Sequence, residues 1–220
     1  MNSFSIGLFT KESSYCNIAI DFVKRNFSEY EVIKEDIESF NTTSLYARRF
    51  DYIISFLYNH LIPQAVLDNA SIAAINFHPA PPEYPGTGSY NFALYNNEKM
   101  YGTVCHHMIE KPDSGKIIAV KRFPLFQTDT VKSLRERTMI YTLLNFFEVI
   151  NIILEKKDLP LADEVWTHEP TTRKDLEKLL EINLDMSTDE IDKRIRSTAV
   201  PNYPGPYITI HGKKYSLKES

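Results

Sequence analysis

The residues in this chain best suited to chemistry are an asparagine and a histidine two positions apart, at the end of an apolar run and just before a rigid loop. They lie in Ile75-Asn76-Phe77-His78-Pro79-Ala80-Pro81-Pro82-Glu83-Tyr84-Pro85-Gly86-Thr87-Gly88. On an extended strand residues i and i+2 share a face, so Asn76 and His78 can aim into one cleft. The prolines lower the entropy cost of ordering the loop, and Gly86 and Gly88 allow close backbone approach to a ligand. A side-chain amide can donate to a developing oxyanion, and an imidazole can donate to it too or act as a base. A later carboxylate, Asp113 in Glu110-Lys111-Pro112-Asp113-Ser114-Gly115-Lys116, can orient and charge-tune that imidazole or position a relaying water. Each residue also has a plainer use. His78 could be satisfied by a carbonyl at a strand end, and Asp113 could be the turn residue before Ser114-Gly115.

A metal is the other chemistry that Cys105, His106, His107 and His78 suggest. Adjacent His106 and His107 point to opposite faces of a strand, so they cannot chelate one ion together, and no Cys or carboxylate completes a set at the usual spacing. We expect no metal, with one of the pair facing the cleft and the other packing outward. His107 is assigned to the substrate side.

Positioning these groups requires strands that end at a common edge. Ser5–Phe9, Tyr30–Ile37, Asp51–Phe56 and Ile72–Phe77 read as strands, with helices expected over Tyr15–Asn26, Leu45–Arg49 and Pro63–Ala70. In Tyr15–Asn26 the apolar spacing is carried by Ile18, Ala19, Phe22 and Val23. Alternation of this kind implies a parallel sheet with crossovers, a Rossmann-like doubly wound α/β core that binds ligands at the carboxyl ends of its strands. Gly102–Met108 and Lys116–Phe123 read as two more strands flanking the loop that carries Asp113. Thr130–Leu154 is a long helix with an apolar stripe of Leu134, Met139, Ile140, Leu143, Leu144, Phe147, Ile150 and Leu154. Further on, Thr172 and Ser187-Thr188-Asp189-Glu190 mark two helix starts, the second matching a capping box, and Tyr207–Tyr215 reads as a hairpin. We expect residues 1–165 to form the core and 166–220 a short extension of helices and a β-hairpin.

Composition narrows the partners. The chain has 220 residues, is 43% hydrophobic and 25% charged, and carries a net charge of -4. That balance does not suit a surface built to neutralise many phosphates, so no nucleic-acid partner is expected. No leader-like segment and no run of about twenty apolar residues is evident, so the expectation is a cytoplasmic protein without a membrane partner. Two cysteines, Cys16 and Cys105, make no disulfide framework.

The ordered motifs resemble the folate-dependent formyltransferase family, which carries Asn-x-His-Pro, a Pro/Gly-rich loop and a later Asp. Phe56-Leu57-Tyr58-Asn59-His60-Leu61-Ile62-Pro63 is similar to the family's folate-side segment. The resemblance implies 10-formyltetrahydrofolate as co-substrate, held by Leu61, Ile62, Met108, Ile109 and Asp113, with Asn76, His78 and Asp113 catalytic. Phe9-Thr10-Lys11-Glu12-Ser13-Ser14 lacks the Gly-rich loop of the glycinamide-ribonucleotide enzymes, and a basic C-terminal domain such as methionyl-tRNA formyltransferases add is not expected here, given the short tail after the Trp166 region and the negative net charge. The chain therefore looks closest to sugar N-formyltransferases, which act on a nucleotide-linked amino-dideoxy sugar for surface polysaccharide, most simply a dTDP-linked one. On this reading Pro85, Gly86, Tyr90, Asn91, His107, Arg194, Arg196, Tyr203 and Tyr207 contact that substrate, and a homodimer forms through the C-terminal region. The arginines and Tyr203 and Tyr207 would supply the cations and aromatic face a nucleotide diphosphate needs, although they could equally be a solvated helix face and hairpin packing. The alternatives are another amine acceptor (glycinamide ribonucleotide or methionyl-tRNA), hydrolysis of the formyl-folate, and a folate- or nucleotide-binding module without turnover.

Overall fold

In the computed structural model, which describes residues 2–34, 47–200 and 205–217, six strands form one sheet in the order β2-β1-β3-β4-β5-β6. They are β1 (Asn2–Phe9), β2 (Phe27–Ile33), β3 (Phe50–Phe56), β4 (Ala70–His78), β5 (Met100–His107) and β6 (Ile117–Pro124). The first four run parallel, and β5 and β6 are each antiparallel to the strand before them. This is the expected mostly parallel α/β sheet. Its parallel members read as near-continuous apolar runs because both faces are covered: Ile53 and Ile54, neighbours on β3, are both fully buried.

Helix α1 (Ser14–Asn26) starts where the Ser13 hydroxyl accepts from the backbone N–H of Cys16. It buries Cys16, Ala19, Ile20 and Val23, while Ile18 faces solvent. Of the expected stripe, Ala19 and Val23 are buried and Phe22 packs on the core, whereas Ile18 gives way to Cys16 and Ile20. The expected helix at Pro63–Ala70 is a single turn, α2 (Gln64–Leu67), with Pro63 as its cap. It stops early because the Asn69 carbonyl accepts from Phe50 N–H and begins the β3–β4 pairing. Of the helix expected at Leu45–Arg49, residues 45 and 46 lie outside the described residues, and Arg48 and Arg49 are not helical but lead directly into β3.

Helix α3 (Ser89–Tyr95) has no counterpart in the sequence reading. Its aromatic residues and Asn91 are indifferent helix formers, so local preference does not announce it. Tertiary contacts supply the stability: Ala93 and Leu94 are buried, and Asn91 donates to the Ser197 carbonyl. The long helix α4 (Val131–Leu154) is capped by a reciprocal Thr130–Ser133 box. Its length and composition would let it cross a membrane, but Leu134, Phe146, Val149, Ile150 and Ile153 are buried within the protein. Ile140 and Leu144, read as part of the inward stripe, are exposed. Thr138 and Thr142 are buried in α4 instead, each hydroxyl donating to the carbonyl four residues back, so their methyl groups are buried without leaving a polar atom unmet.

Beyond Trp166 come α5 (Arg173–Leu180), β7 (Glu181–Ile182), α6 (Thr188–Thr198), β8 (Tyr207–Ile210) and β9 (Lys213–Ser216). The last two form the expected hairpin, with His211 and Gly212 both in the left-handed region that a two-residue turn requires. Strand β7 pairs with β8 to make a second, three-stranded sheet. Ser187 caps α6 as expected, but Glu190 does not close the box. Its carboxylate accepts from Tyr95 Oη and Arg194 Nε, tying α6 to α3.

Phe146 joins the layers: fully buried, its ring contacts Phe22 of α1, Phe56 of β3 and Phe77 of β4. Phe146→Ala should cost about 3–5 kcal/mol of stability, read as a lower urea midpoint at unchanged m-value.

Candidate active site

Asn76 and His78 stand on the same face of β4 at its carboxyl end, as their spacing requires. The antiparallel register sets Asn76 opposite His106 and Ile75 opposite His107. Cross-strand partners share a face, so His106 joins Asn76 and His78, and His107 lies on the other side of the sheet. The assignment of His107 to the substrate side is corrected by this register: His106 is the member of the pair that reaches the cleft.

The hydrogen bonds of His106 determine its tautomer. Its Nδ1 lies 2.8 Å from the His107 carbonyl, which can only accept, so Nδ1 carries a proton. In the imidazolium Nε2 donates to Asp113 Oδ1 at 3.5 Å, whereas in the neutral ring it accepts from Asn76 Nδ2 at 3.1 Å. This uses one of the two amide N–H bonds of Asn76 and leaves the other available. His78 has acceptors on both sides, with Nε2 at 3.3 Å from the Tyr84 carbonyl and Nδ1 at 3.5 Å from Asp113 Oδ1. A neutral ring can donate to one of them, and an imidazolium to both.

Asp113 collects these groups. Its Oδ1 is also 3.5 Å from His106 Nε2, and its Oδ2 accepts from Gly86 N–H at 3.2 Å. Burial pushes the Asp113 carboxyl up, but the charge of His78, the hydrogen bond and charge of His106 and the Gly86 N–H outweigh it and hold the group well below the usual carboxylate range. The loop presents this side chain through two unusual backbone positions. Asp113 itself has φ +46, in the left-handed region. At Gly115 a Cβ atom would lie 1.8 Å from the His107 carbonyl oxygen, so the loop can close on β5 only with glycine there. Gly86, also left-handed, packs so tightly on the later chain that a Cβ would lie 2.4 Å from the Thr171 carbonyl oxygen.

Next to this cluster is an apolar corner. Ile62 and Met108 pack on the buried group of Phe9, Ile33, Phe50, Ile53, Val66 and Leu67. Leu61 and Ile109, their chain neighbours, are 74% and 49% exposed. Two large aliphatic side chains left open, that of Ile109 in the Asp113 loop, suit a flat, largely apolar ligand.

The other expected contacts are scattered. Pro85 accepts from Thr171 N–H, and Asn91 is occupied with Ser197. The Tyr90 hydroxyl is buried without a hydrogen-bond partner, and burial raises its pKa. Arg194 donates to the carbonyls of Lys178 and Glu181 and to Glu190, closing the end of α5. Arg196 donates to the carbonyls of Asp129 and Phe126 and to Asn97. The Arg194 guanidinium therefore holds the tail together, and that of Arg196 ties the tail to the core beside a surface pocket lined by Asn97, Leu125 and Phe126. Tyr207 packs under Lys214, and Tyr203 lies outside the described residues. Two residues that the sequence reading did not select, His106 and Trp166, stand at the centre. The Trp166 ring meets the His106 and His78 rings edge-on at 5.1 and 6.1 Å. Among the described residues no group of three His, Cys, Asp or Glu is placed to hold a metal ion.

The fold and site combine an amide, two imidazoles and a carboxylate at the carboxyl ends of a mostly parallel sheet. Residues 16–143, more than half of the chain, match the formyl transferase family, and the chain belongs to it. It is 28% identical over 170 residues to the methionyl-tRNA formyltransferase of Lactobacillus johnsonii, covering 76% of this chain and 52% of that protein. It is 32% identical over 166 residues to the GDP-perosamine N-formyltransferase of Brucella melitensis, covering 75% of this chain and 63% of that protein. The chain thus spans little more than half to under two thirds of the curated relatives it matches. Among solved structures, a sugar N-formyltransferase from Shewanella superposes with a TM-score of 0.79 at 18% identity, over 98% of this chain and 97% of that one. The N-formyltransferase of Helicobacter canadensis, solved with folinic acid and dTDP-3-aminofucose, gives 0.73 at 18% identity over 96% and 86%.

The depressed Asp113 carboxyl has a consequence for stability. Its ionised form stabilises the fold above its ordinary value of 3.8, and this contribution is lost as pH falls below that value toward the lower folded one. Asp113→Asn should cost about 1–3 kcal/mol at pH 7. The gap between wild type and variant should narrow between pH 4 and pH 2, as checked by urea midpoints across that range.

Proposed function

We propose that this chain is a sugar N-formyltransferase that moves the formyl group of 10-formyltetrahydrofolate to the amine of a nucleotide-linked amino-dideoxy sugar. The observation that carries formyl transfer is the convergence of His78 and His106, and of Asn76 through His106, on the mostly buried Asp113 carboxylate at the end of β4. For the co-substrate, the open aliphatic pair Leu61 and Ile109, with Ile62 and Met108 behind it, fits a pterin ring, and the folinic acid in the Helicobacter canadensis structure supports the same assignment.

In this reaction the amine nitrogen forms a bond to the formyl carbon, the bond from that carbon to folate N10 breaks, and a proton passes from the amine to the departing nitrogen. The second N–H of Asn76 donates to the oxyanion that develops on the formyl oxygen, and His106 holds the amide in orientation from behind. His78 either adds a donor to the same oxygen as the imidazolium or, neutral, takes the amine proton. Asp113 keeps the imidazole in place and balances its charge, but is itself too acidic to be the proton store.

A sugar acceptor is supported by the fold, which follows the Shewanella sugar N-formyltransferase over nearly the whole of both chains, residues beyond 166 included, and by the Brucella melitensis relative. On this reading the amino sugar lies against the Pro85–Gly86 loop and Tyr90. The dTDP-linked sugar, rather than the GDP-linked one, is proposed from the Helicobacter canadensis complex. The methionyl-tRNA relative makes tRNA the second reading.

The test is release of tetrahydrofolate from 10-formyltetrahydrofolate with dTDP-, GDP- and UDP-amino sugars, glycinamide ribonucleotide and charged initiator tRNA. Release with a sugar nucleotide alone is expected, and release only with tRNA or the ribonucleotide overturns the acceptor. His78→Ala should lower kcat by about a hundred- to ten-thousandfold with folate binding retained. Turnover near that of the wild type removes His78 from this role.

A further inference from the structure

Trp166 is the single tryptophan of the chain, and it stands where three parts of the site meet. Its indole Nε1 donates to the Gly115 carbonyl at 2.8 Å, at the end of the loop that carries Asp113. Its ring stands at 87° to the His106 ring and 63° to the His78 ring, an edge-to-face arrangement with both imidazoles.

The segment bearing this indole is bonded to the site loops along its whole length. Ala162 N–H donates to the Ile117 carbonyl, just past the Asp113 loop. Lys111 of that loop pairs with Glu169 at 2.7 Å. On the other side His168 Nδ1 meets the Glu83 carbonyl at 3.0 Å, and Thr171 N–H donates to the Pro85 carbonyl at 3.0 Å. Arg122 forks onto Glu83 and also binds Glu164. Residues 162–171 are therefore a strap across two loops, 82–87 and 109–117. Those loops otherwise meet through the Gly86 N–H bond to Asp113.

The left-handed Asp113 backbone must be held in place by its surroundings. The indole N–H fixes one end of that loop, and the indole ring limits where the imidazoles can turn. We propose that Trp166 is a positioning residue for the catalytic set: it sets the placement of the Asp113 loop and the orientation of His106 and His78, so the acid–base geometry depends on the docked strap. The kinetic part of this inference rests on the formyl-transfer reading, and the spectroscopic part does not.

The experiment compares wild type, Trp166→Phe, which keeps a ring but loses the N–H, and Trp166→Ala, which loses both. Imidazole 15N and ring-proton resonances are read for all six histidines, together with kcat, KM and Tm. His78 and His106 should shift in both variants, more in Ala than in Phe, while His60 and His211 stay unchanged. In Trp166→Phe the Tm should remain within a few degrees, and kcat should fall about tenfold to a hundredfold with KM for the formyl donor little changed, the size expected for misplacement of a catalytic group. Unmoved His78 and His106 resonances, or equal shifts at all six histidines, overturn the proposal. Shifts confined to His78 and His106 in a protein that transfers no formyl group uphold the positioning role and defeat the formyl-transfer reading instead.

Discussion

A carboxylate that is mostly buried must find enough donors to remain charged, and the arrangement around Asp113 follows from that requirement. Desolvation alone would neutralise the group, and an isolated ionised carboxyl in the interior is too costly to persist. Two imidazoles and one backbone N–H compensate, each from a different part of the chain: His78 from the end of β4, His106 from β5 and Gly86 from the proline-rich loop. The ion therefore acts as a junction, and the loops around it have backbone conformations that would be unfavourable without it.

The sheet topology makes this junction possible. Strand β4 is the last of the parallel strands and β5 the first antiparallel one, so the change of direction brings His106 beside Asn76 and sends the following loop back toward His78. The core on either side is conventional, with aromatic rings from α1, β3, β4 and α4 in contact around Phe146. Its rigidity matters because the distances in the site are set by strands, and strands transmit small displacements.

The tail takes part in both scaffold and site. Arg194 and Arg196 look on paper like ligands for phosphate, yet they satisfy carbonyl groups at the ends of α5 and of the segment before α4. A guanidinium with five donors serves either purpose, and only its neighbours decide which. The strap that precedes these helices brings Trp166 into contact with the imidazoles, and the acid–base cluster is thus enclosed by residues far apart in sequence.

Much of this was legible from the residues alone because it depends on local periodicity. Alternating apolar runs and helical spacings announced the parallel α/β sheet. Period two put Asn76 and His78 on one face, and capping residues marked Thr172 and Ser187 as helix starts. What the sequence could not determine are the matters settled by pairing between distant segments. The choice between His106 and His107 depends on the register of β5 against β4, where a slip of one residue exchanges the faces. Helix α3 forms through its packing on α6 against weak local preference, and α4 turns Ile140 and Leu144 outward because threonines with self-satisfied hydroxyls fit the buried side. The place of Trp166 depends on where a strap crosses two loops, and no spacing within the strap encodes that. Local chemistry determined which groups were available, and long-range contacts decided which of them meet.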